Sequence, residues 1–536
     1  MTNPTETPDQ PNVPEAQSHP ATLHDLELRF STTAEVLRKI GSLSPVRQAA
    51  TGRARSKSIE TRYFDTATAD LQRNSYALAV RKNARRFEQI VIPLGEKAED
   101  IFRRRGTAFP TAEMTPGIAA LFPVDGIGPL LANLPDATMH PVFRTEIRRA
   151  ERTLNLPDGC VALLQSDSGK LIAEGGEAEI CDVELKLVSG PTAPFFAFAK
   201  EIVTALPLSL EHLTKAERGY ALVTGETTVW RKAGKVPLVP DHTVEEALAV
   251  TLKHCLSHML DNQACARADA HPEGVHQMRV AIRRMRSALT IHKPLMPPEQ
   301  LQSLATRLKA LINAMGPARD WDVFTGEIAV PPVDWCGEDA DMAELMAAGE
   351  ARRVAAYAAL NAFMDSSAYP LLLLDLLDWI ESRLWRDQPV SESAARLFMP
   401  AKEFAGPVLS KRHKSARKKG KHIEHLTIPE RHELRIAIKK NRYACEFFAA
   451  LFPEKTVKSY LSTLSGLQDY LGLLNDVAVA DELVRDLADS ATGARKVALA
   501  RAGGFVSGWY SQAAMAHDKD LFEGWDRFGD AIPFWR

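Results

Sequence analysis

The sequence lacks paired cysteines, a long apolar run and an excess of charge of either sign. Its 536 residues include 6 cysteines, scattered with no Cys-x-x-Cys spacing, which argues against a zinc site and against a disulfide scaffold. We therefore expect a reducing, cytoplasmic compartment. The most apolar stretch, residues 371–377, is interrupted by Asp375 and is too short to cross a membrane. Because the formal net charge is only -2, any strongly charged surface must arise from local clustering.

The hydrophobic pattern changes near the middle of the chain, which is long enough for two or three cores. In the first half, Leu26, Leu28 and Phe30 alternate with charged residues, which predicts antiparallel strands in an α+β domain. In the second half the period becomes 3.6, which predicts an all-α domain. The predicted divisions are a disordered segment at 1–21, the α+β domain at 22–225, a linker at 226–242, the helical domain at 243–525 and a C-terminal tail at 526–536.

Two segments of the helical domain carry the same basic pattern. VHQMRVAIRRMR and RHELRIAIKKNR each place a histidine and three cations within a narrow arc of a helix, at about 100° per residue. Met278, Ile282 and Met285 occupy the opposite arc of the first copy, so one side of the helix should be buried. These two basic stripes consist of His276, Arg279, Arg283 and Arg286, and of His432, Arg435, Lys439 and Arg442.

The similarity continues at the same offset beyond the stripes. The shared positions include Pro297 and Pro453, Gly316 and Gly472, and Asp320 and Asp476. The proline and the glycine bracket a second helix in each copy. We therefore expect two helical bundles related by a pseudo-twofold axis, at about 243–390 and 400–525. The two aspartates are expected to pair internally with stripe arginines.

A third basic segment, KRHKSARKKGKH, is dense enough to repel itself unless an anion is near. Arginine can grip phosphate oxygens with two parallel N–H donors, and lysine adds a mobile point charge. The alternative interpretation is a solvated helix face. The candidate anion-binding residues of this segment are Lys411, Arg412, Lys414, Arg417 and Lys418.

The first domain resembles the CYTH, or triphosphate tunnel, family in DLELRF, RYFDT, CDVELKL and TKAERGYAL. In that family eight antiparallel strands form a tunnel in which basic residues hold a triphosphate and acidic residues hold a divalent metal. The resemblance therefore implies an antiparallel tunnel-like β-barrel. It also implies residual phosphate binding by Arg29, Arg81, Arg149 and Lys215, and a weak site for Mg²⁺ or Mn²⁺ at Glu27, Asp182 and Glu184.

Several positions depart from the family pattern. Ala79 stands where an arginine belongs, Ile92 replaces a lysine, and Leu163 and Lys186 replace acidic residues. Losing even one preorganised stabiliser commonly costs roughly 10²- to 10³-fold in rate. We therefore expect no efficient hydrolysis, and no confident catalytic residue is assigned. The alternative is a metal-dependent inorganic triphosphatase, with Mg²⁺ or Mn²⁺ required only in that case.

The second domain resembles the CHAD family, in VHQMRVAIRRMRSAL with GPARDWDVF and in HELRIAIKKNRYACEFF with LQDYLGLLND. That family is associated with binding inorganic polyphosphate through a basic surface between two four-helix bundles. The resemblance implies polyphosphate as the partner, binding without a cofactor, and association with polyphosphate granules.

Two further alternatives concern nucleic acids and the stripe histidines. Phosphate stripes also suit DNA or RNA, but the sequence lacks a base-reading motif and aromatics interleaved with the cations, so nucleic acid ranks last. His276 and His432 either form buried hydrogen bonds or contact phosphate. In the second case affinity should rise as the pH falls through about 6.5.

Overall fold

The computed structural model describes residues 21–22, 26–95, 102, 106–133, 138–226 and 228–536; for 21–22, 473–475 and 511–517 it describes the backbone alone. The disordered segment predicted at 1–21 therefore lies outside the described residues except at Ala21.

The first half is built on one antiparallel sheet. Its strand order is β1-β6-β5-β4-β3-β7-β8-β9-β2-β10. The strands are β1 (Ala21–Thr22), β2 (Glu27–Ser31), β3 (Arg55–Asp65), β4 (Tyr76–Asn83), β5 (Arg86–Pro93), β6 (Thr107–Thr111), β7 (His140–Asn155), β8 (Val161–Ala173), β9 (Gly176–Ser189) and β10 (Ser209–Leu210). The helices of this half are α1 (Ala34–Ile40), α2 (Ser44–Ala49), α3 (Asp70–Arg73), α4 (Ile127–Ala132), α5 (Thr192–Ala205) and α6 (Lys215–Thr224).

The two faces of the sheet differ because side chains alternate along each strand. On β2, Leu28 and Phe30 are fully buried in a core that also contains residues of α1, α2 and α5. The opposite side of the same strands carries charge, since Arg29 is paired in register with Glu184 of β9. We call this side the charged face.

Helix α6 covers part of the charged face. Its capping box joins Thr214 and Glu217, and the helix packs on β7, β8 and β9. At Gly219 a Cβ atom would lie 2.0 Å from the ring of Phe143, so the helix can approach the sheet closely only with glycine there. This approach brings the first turn of α6, beginning at Lys215, over the charged face.

The second half is helical, as predicted. Its helices are α7 (Val244–Asp261), α8 (Gln263–Arg267), α9 (Glu273–His292), α10 (Pro298–Val323), α11 (Val330–Cys336), α12 (Ala340–Asp365), α13 (Ala368–Glu381), α14 (Glu392–Ala395), α15 (Ala401–Lys419), α16 (Ile428–Phe448), α17 (Glu454–Asp489) and α18 (Gly493–Asp530). No described helix is both long and apolar enough to span a membrane.

Two groups of four helices have the same succession of packing contacts. In the first, α7 packs on α9, α9 on α10 and α10 on α12; in the second, α15 packs on α16, α16 on α17 and α17 on α18. Pro297 and Pro453 precede the third helix of each group. The groups meet where α9 contacts α16 and where α12 contacts α18.

The two halves of the chain share one hydrophobic core. Helix α5 packs on α13, and Lys200 reaches Asp375 at 2.7 Å and Asp378 at 2.8 Å across this junction. In the predicted linker, Val236 and Leu238 are buried in the same core. The joint between the halves is therefore packed, and the segment at 226–242 is part of it.

The predicted tail at 526–536 is not a separate segment in the structure. Helix α18 continues to Asp530, and the residues after it pack against the second bundle. The rings of Phe534 and Trp535 lie 5.7 and 5.1 Å from that of Tyr460. Aromatic packing therefore fixes this end of the described chain.

Candidate functional site

The two basic stripes lie on α9 and α16, whose opposite sides are buried. Met278, Ile282 and Met285 of α9, and Leu434 and Ile438 of α16, are fully buried. This amphipathic pattern fixes the rotation of both helices, because the apolar side must face the core. The basic sides are left to face the junction of the two bundles.

The stripes face each other because α9 packs against α16. Arg283 of α9 lies close enough to Lys439 and Arg435 of α16 to lower their pKa values electrostatically. Arg319 of α10 acts in the same way on His276. The repeated segments thus form one basic groove, which we define by the stripe residues together with Arg319.

The shared glycines leave room for the second residue of each stripe. A Cβ atom at Gly316 would lie 3.4 Å from Nη1 of Arg279, and one at Gly472 would lie 3.9 Å from Nη2 of Arg435. Arg279 also donates a hydrogen bond from Nη1 to the carbonyl oxygen of Ile312 at 3.3 Å. The two guanidinium groups therefore lie across the neighbouring helices α10 and α17 at equivalent glycine positions.

Both of these arginines retain unused hydrogen-bonding capacity. The buried Nε atoms of Arg279 and Arg435 have no hydrogen-bond partner among the described residues. Buried polar groups are normally satisfied, so an unpaired donor calls for a missing partner such as a ligand or water. In this basic environment an anion is a suitable partner.

The pKa values in the groove show an excess of positive charge. Burial, together with Arg283, lowers the pKa of Arg279 to about 10. Burial, together with Arg435 and Arg283, lowers that of Lys439 to about 7. A cation with enough neighbouring carboxylates would show the opposite shift. The groove is therefore short of negative charge.

The shared aspartates offset part of this charge. Asp476 lies 3.6 Å from Arg435, as expected for internal pairing. Burial raises the pKa of Asp320, although Arg279 and Arg283 act to lower it. These two carboxylates do not balance the cations, because the pKa values of Lys439 and Arg279 remain lowered.

The stripe histidines differ from each other. Burial, with added repulsion from Arg319, lowers the pKa of His276 to about 4, so this ring is neutral at pH 7 in the free protein. In the free protein this pKa lies below the pH of about 6.5 expected from the sequence, and a rise of affinity at low pH stays a prediction. His432, by contrast, is exposed.

The last residue of the second stripe is already paired. Arg442 donates from Nε to Glu446 at 2.8 Å, and Glu446 also accepts from the buried Arg284 of α9 at 2.5 Å. Glu446 thus ties the two bundles together. In the described structure Arg442 therefore already has a carboxylate partner, and its role in anion binding stays a prediction. Sequence patterns missed Arg284 because it faces away from the stripe.

The groove continues towards α15 through a residue that the stripe pattern missed. Burial, together with Arg412, Lys419 and Arg286, lowers the pKa of Lys440. Arg286 and Arg412, both predicted from the sequence, are thus brought to the same surface. The sequence could have pointed to Lys440, because it lies in the RHELRIAIKKNR motif directly after the stripe residue Lys439.

The structure divides the third basic segment among several faces of α15. Arg412 lies towards Lys440 and the groove. Lys414 and Arg417 line a separate cavity next to the C-terminal residues. Lys411 and Lys418 are exposed. The segment therefore does not act as one site.

The charged face of the sheet holds a second cluster, in which the charges are paired internally. Nζ of Lys215 lies 2.6 Å from Glu184, 2.8 Å from Asp167 and 3.2 Å from Asp182. Arg149 makes two hydrogen bonds with Asp167, at 2.7 and 2.6 Å, and one with Glu184 at 3.0 Å. Three carboxylates therefore converge on one ammonium group and one guanidinium group.

The pKa shifts of this cluster run opposite to those in the groove. Burial alone would lower the pKa of Lys215 and Arg149, but the surrounding carboxylates raise both. Burial alone would raise the pKa of Glu184, but Lys215 and Arg149 hold it well below its usual range. Such a network is electrostatically satisfied without a ligand.

The residues implied as metal ligands do not fit a divalent cation in this arrangement. Glu27 pairs with Lys186 at 3.1 Å, while Asp182 and Glu184 pair with Lys215. In the described part of the chain no group of three or more His, Cys, Asp or Glu side chains could hold a metal ion. The ammonium group of Lys215 lies where the carboxylates meet, so it takes the place that a cation would need.

The other residues of the implied tunnel site are placed around this cluster. Arg29 donates from Nη2 to the carbonyl oxygen of His212 at 3.2 Å. Arg81 lies on the charged face, in register with Thr61 and close to Tyr63. Of the four tunnel cations predicted from the sequence, Arg149 and Lys215 share the carboxylate cluster directly.

The substituted positions lie on the same face. Ala79 is fully buried against Tyr63, and Ile92 packs on the same small core. Leu163 is paired in register with Lys186. Apolar side chains and one lysine thus occupy positions where the family places ligand-binding charge.

Family comparisons cover both halves of the chain. A family model for the CYTH domain matches residues 27–220, and one for the CHAD domain matches residues 250–485. A curated inorganic triphosphatase from Haemophilus influenzae is 26% identical over 161 residues, which is 30% of this chain. The match spans 44% of that relative, less than half of its length.

Solved structures also resemble the chain. The CHAD domain from the plant Ricinus communis is 29% identical in sequence, with a TM-score of 0.49. The match covers 57% of this chain and 98% of the Ricinus chain. PptA from Streptomyces chartreusis is 14% identical in sequence, with a TM-score of 0.42. The match covers 53% of this chain and 100% of the PptA chain. On the two family matches, this chain carries a CYTH domain followed by a CHAD domain in tandem.

Proposed function

We propose that the chain binds inorganic polyphosphate in the basic groove between the two bundles. The observation that carries the proposal is geometric: the two basic stripes face each other where α9 packs on α16, and the buried Nε atoms of Arg279 and Arg435 there have no partner among the described residues. The pKa values of Arg279 and Lys439, lowered by burial and then by neighbouring cations, agree with it. A linear polyphosphate supplies closely spaced negative charge along its length. It would pair with cations from both stripes at once.

Polyphosphate suits this groove better than a nucleic acid. Proteins that bind single strands combine cations with aromatic platforms on which bases stack. The groove residues are arginines, one lysine and two histidines; Asp320 and Asp476 lie next to them, and Tyr443 beside them is buried. A chain of phosphates needs only the cations. Binding of this kind fits a role at polyphosphate granules, which is a further part of the proposal.

The test is a titration of the purified full chain with long-chain polyphosphate in the presence of excess duplex DNA. The Arg279→Ala, Arg435→Ala double variant should lose most of the affinity. A matched control is the Lys458→Ala, Arg485→Ala double variant, which removes two positive charges from exposed positions on α17. Equal losses in both variants, or displacement by DNA, would refute the proposal.

For the CYTH domain we propose that efficient triphosphate hydrolysis is absent. The internal pairing of Lys215 and Arg149 supports this, because a substrate would have to displace three carboxylates that already neutralise them. The second candidate is a metal-dependent inorganic triphosphatase, favoured by the curated relative of that name. Phosphate release from tripolyphosphate with Mg²⁺ or Mn²⁺ distinguishes the two. Turnover clearly above a Glu184→Ala control would support the enzyme.

A further inference from the structure

A cavity of about 520 Å³ lies between the end of α15 and the residues that follow α18. Its lining consists of His413, Lys414, Arg417, Gly529, Ala531, Ile532, Pro533 and Arg536. This volume falls in the range of small-molecule sites in proteins. The cavity therefore has room for a compact ligand.

The polar part of the lining is cationic. Lys414, Arg417 and Arg536 contribute positive charge, and the lining contains no aspartate or glutamate. Within the described part of the chain, neither Lys414 nor Arg536 forms an ion pair with a carboxylate side chain. Arg417 donates from Nη1 to the carbonyl oxygen of Gly529 at 2.7 Å, which holds its guanidinium group at the wall. All three cations are exposed, so the cavity is open to solvent, with Arg417 held at the wall and Lys414 and Arg536 available.

Hydrogen bonds and ring packing hold one part of the cavity wall in place, where the C-terminal residues meet α15. His413 is buried, and its Nδ1 lies 2.7 Å from the hydroxyl oxygen of Tyr460. Trp535 donates from Nε1 to the hydroxyl oxygen of Ser410 at 2.9 Å, and its ring packs against that of His413. These contacts fasten the C-terminal residues to α15. This part of the wall is therefore formed before a ligand binds, whereas the exposed Lys414 and Arg536 would be ordered on binding.

This cavity is separate from the basic groove. Lys414 follows Arg412 by two residues, which rotates it by about 200° around the helix axis. Arg412 faces Lys440 of the groove, so Lys414 projects from the other side of α15. One stretch of sequence therefore supplies two different surfaces.

We propose that this cavity is a second anion site, which binds a compact phosphate anion such as pyrophosphate through Lys414, Arg417 and Arg536. Phosphate oxygens suit this set, because arginine donates in a planar fork and lysine adds a point charge. The same chemistry is offered by a free pyrophosphate and by the terminal group of a longer chain. The site is independent of the groove and does not rest on the function proposed for it.

The experiment measures pyrophosphate binding to the full chain by isothermal titration calorimetry. Lys414→Ala should weaken binding by about tenfold or more, the loss expected for one charge-assisted contact. Lys411→Ala is the matched control, because it removes the same charge from an exposed position on the same helix, outside the cavity lining. Thermal unfolding of both variants checks that the fold is retained.

The outcomes separate the two sites. Weaker pyrophosphate binding in Lys414→Ala alone, with the Arg279→Ala, Arg435→Ala variant unaffected, would support the cavity site. Equal losses in Lys414→Ala and Lys411→Ala, or none in either, would overturn it. If long-chain polyphosphate binds at the cavity and pyrophosphate does not, the compact-anion proposal is also wrong. Failure of the groove proposal would appear separately, as unchanged long-chain binding in the double arginine variant.

Discussion

Lys439 should make polyphosphate binding weaken as the pH rises above 7. In the free protein its pKa is about 7, because burial and the neighbouring Arg435 and Arg283 disfavour the ammonium form. Bound polyphosphate would bring negative charge to the same place and raise this pKa towards its ordinary value. The complex therefore holds a proton that the free protein loses mostly between about pH 6 and 8.

The sign and size of the effect follow from this linkage. Affinity is highest below the free-state pKa and falls above it by at most tenfold per pH unit. If the bound pKa reaches the ordinary lysine value of about 10.4, affinity should fall by about 50-fold between pH 7 and pH 9. A smaller rise in the bound pKa gives a smaller loss.

The matched variant is Lys439→Arg, which keeps the positive charge throughout this range because arginine remains protonated. Calorimetry at constant ionic strength, in two buffers of different ionisation enthalpy, measures both the affinity and the protons taken up. The wild type should take up close to one proton at pH 8, and Lys439→Arg much less. A flat wild-type profile, or the same slope in both proteins, would refute the reasoning.

Three further predictions concern the groove and the sheet. The affinity for polyphosphate should fall with salt at a log-log slope of about -3.5, because five stripe arginines and lysines remain when Arg442 is left out as paired, each contributing about 0.7. A slope near zero would contradict this. Gly316→Leu should weaken polyphosphate binding about tenfold, because the new side chain would displace Arg279. The control Gly466→Leu should not weaken binding, because a Cβ atom there would meet nothing within 4 Å. Equal affinities of the two variants would contradict the role of Gly316. Lys215→Met should lower the free energy of unfolding by about 1 to 3 kcal/mol, since it removes one cation from three buried carboxylates that Arg149 and Arg218 still pair in part. Urea denaturation compared with the exposed Lys411→Met measures this, and equal stability of the two variants would contradict it.

The broad architecture could be predicted from the sequence because it depends on periodicity. Alternation in β2 and β9 identified the sheet, and the period of 3.6 identified the helical half. The apolar side of α9 also fixed which side of that helix had to be buried. These patterns are local, so they can be recognised without knowing which elements meet.

Interactions between distant elements could not be predicted in this way. Arg442 belongs to the stripe by spacing, but it donates to Glu446, which also accepts from Arg284 of the other bundle. The family resemblance implied a metal site at Glu27, Asp182 and Glu184, but α6 brings Lys215 between the last two carboxylates. In both cases a residue from another element decides the role.

The sequence by itself determined the order of the two domains, the duplicated helices and the presence of basic stripes. Each of these features depends only on residue type and spacing along the chain. The tertiary structure decided how the charges are compensated. It placed Arg283 beside Lys439 without enough carboxylates, and it placed Lys215 among three of them. Electrostatic energy depends on distance and burial, so similar cations became open for binding in one domain and internally paired in the other.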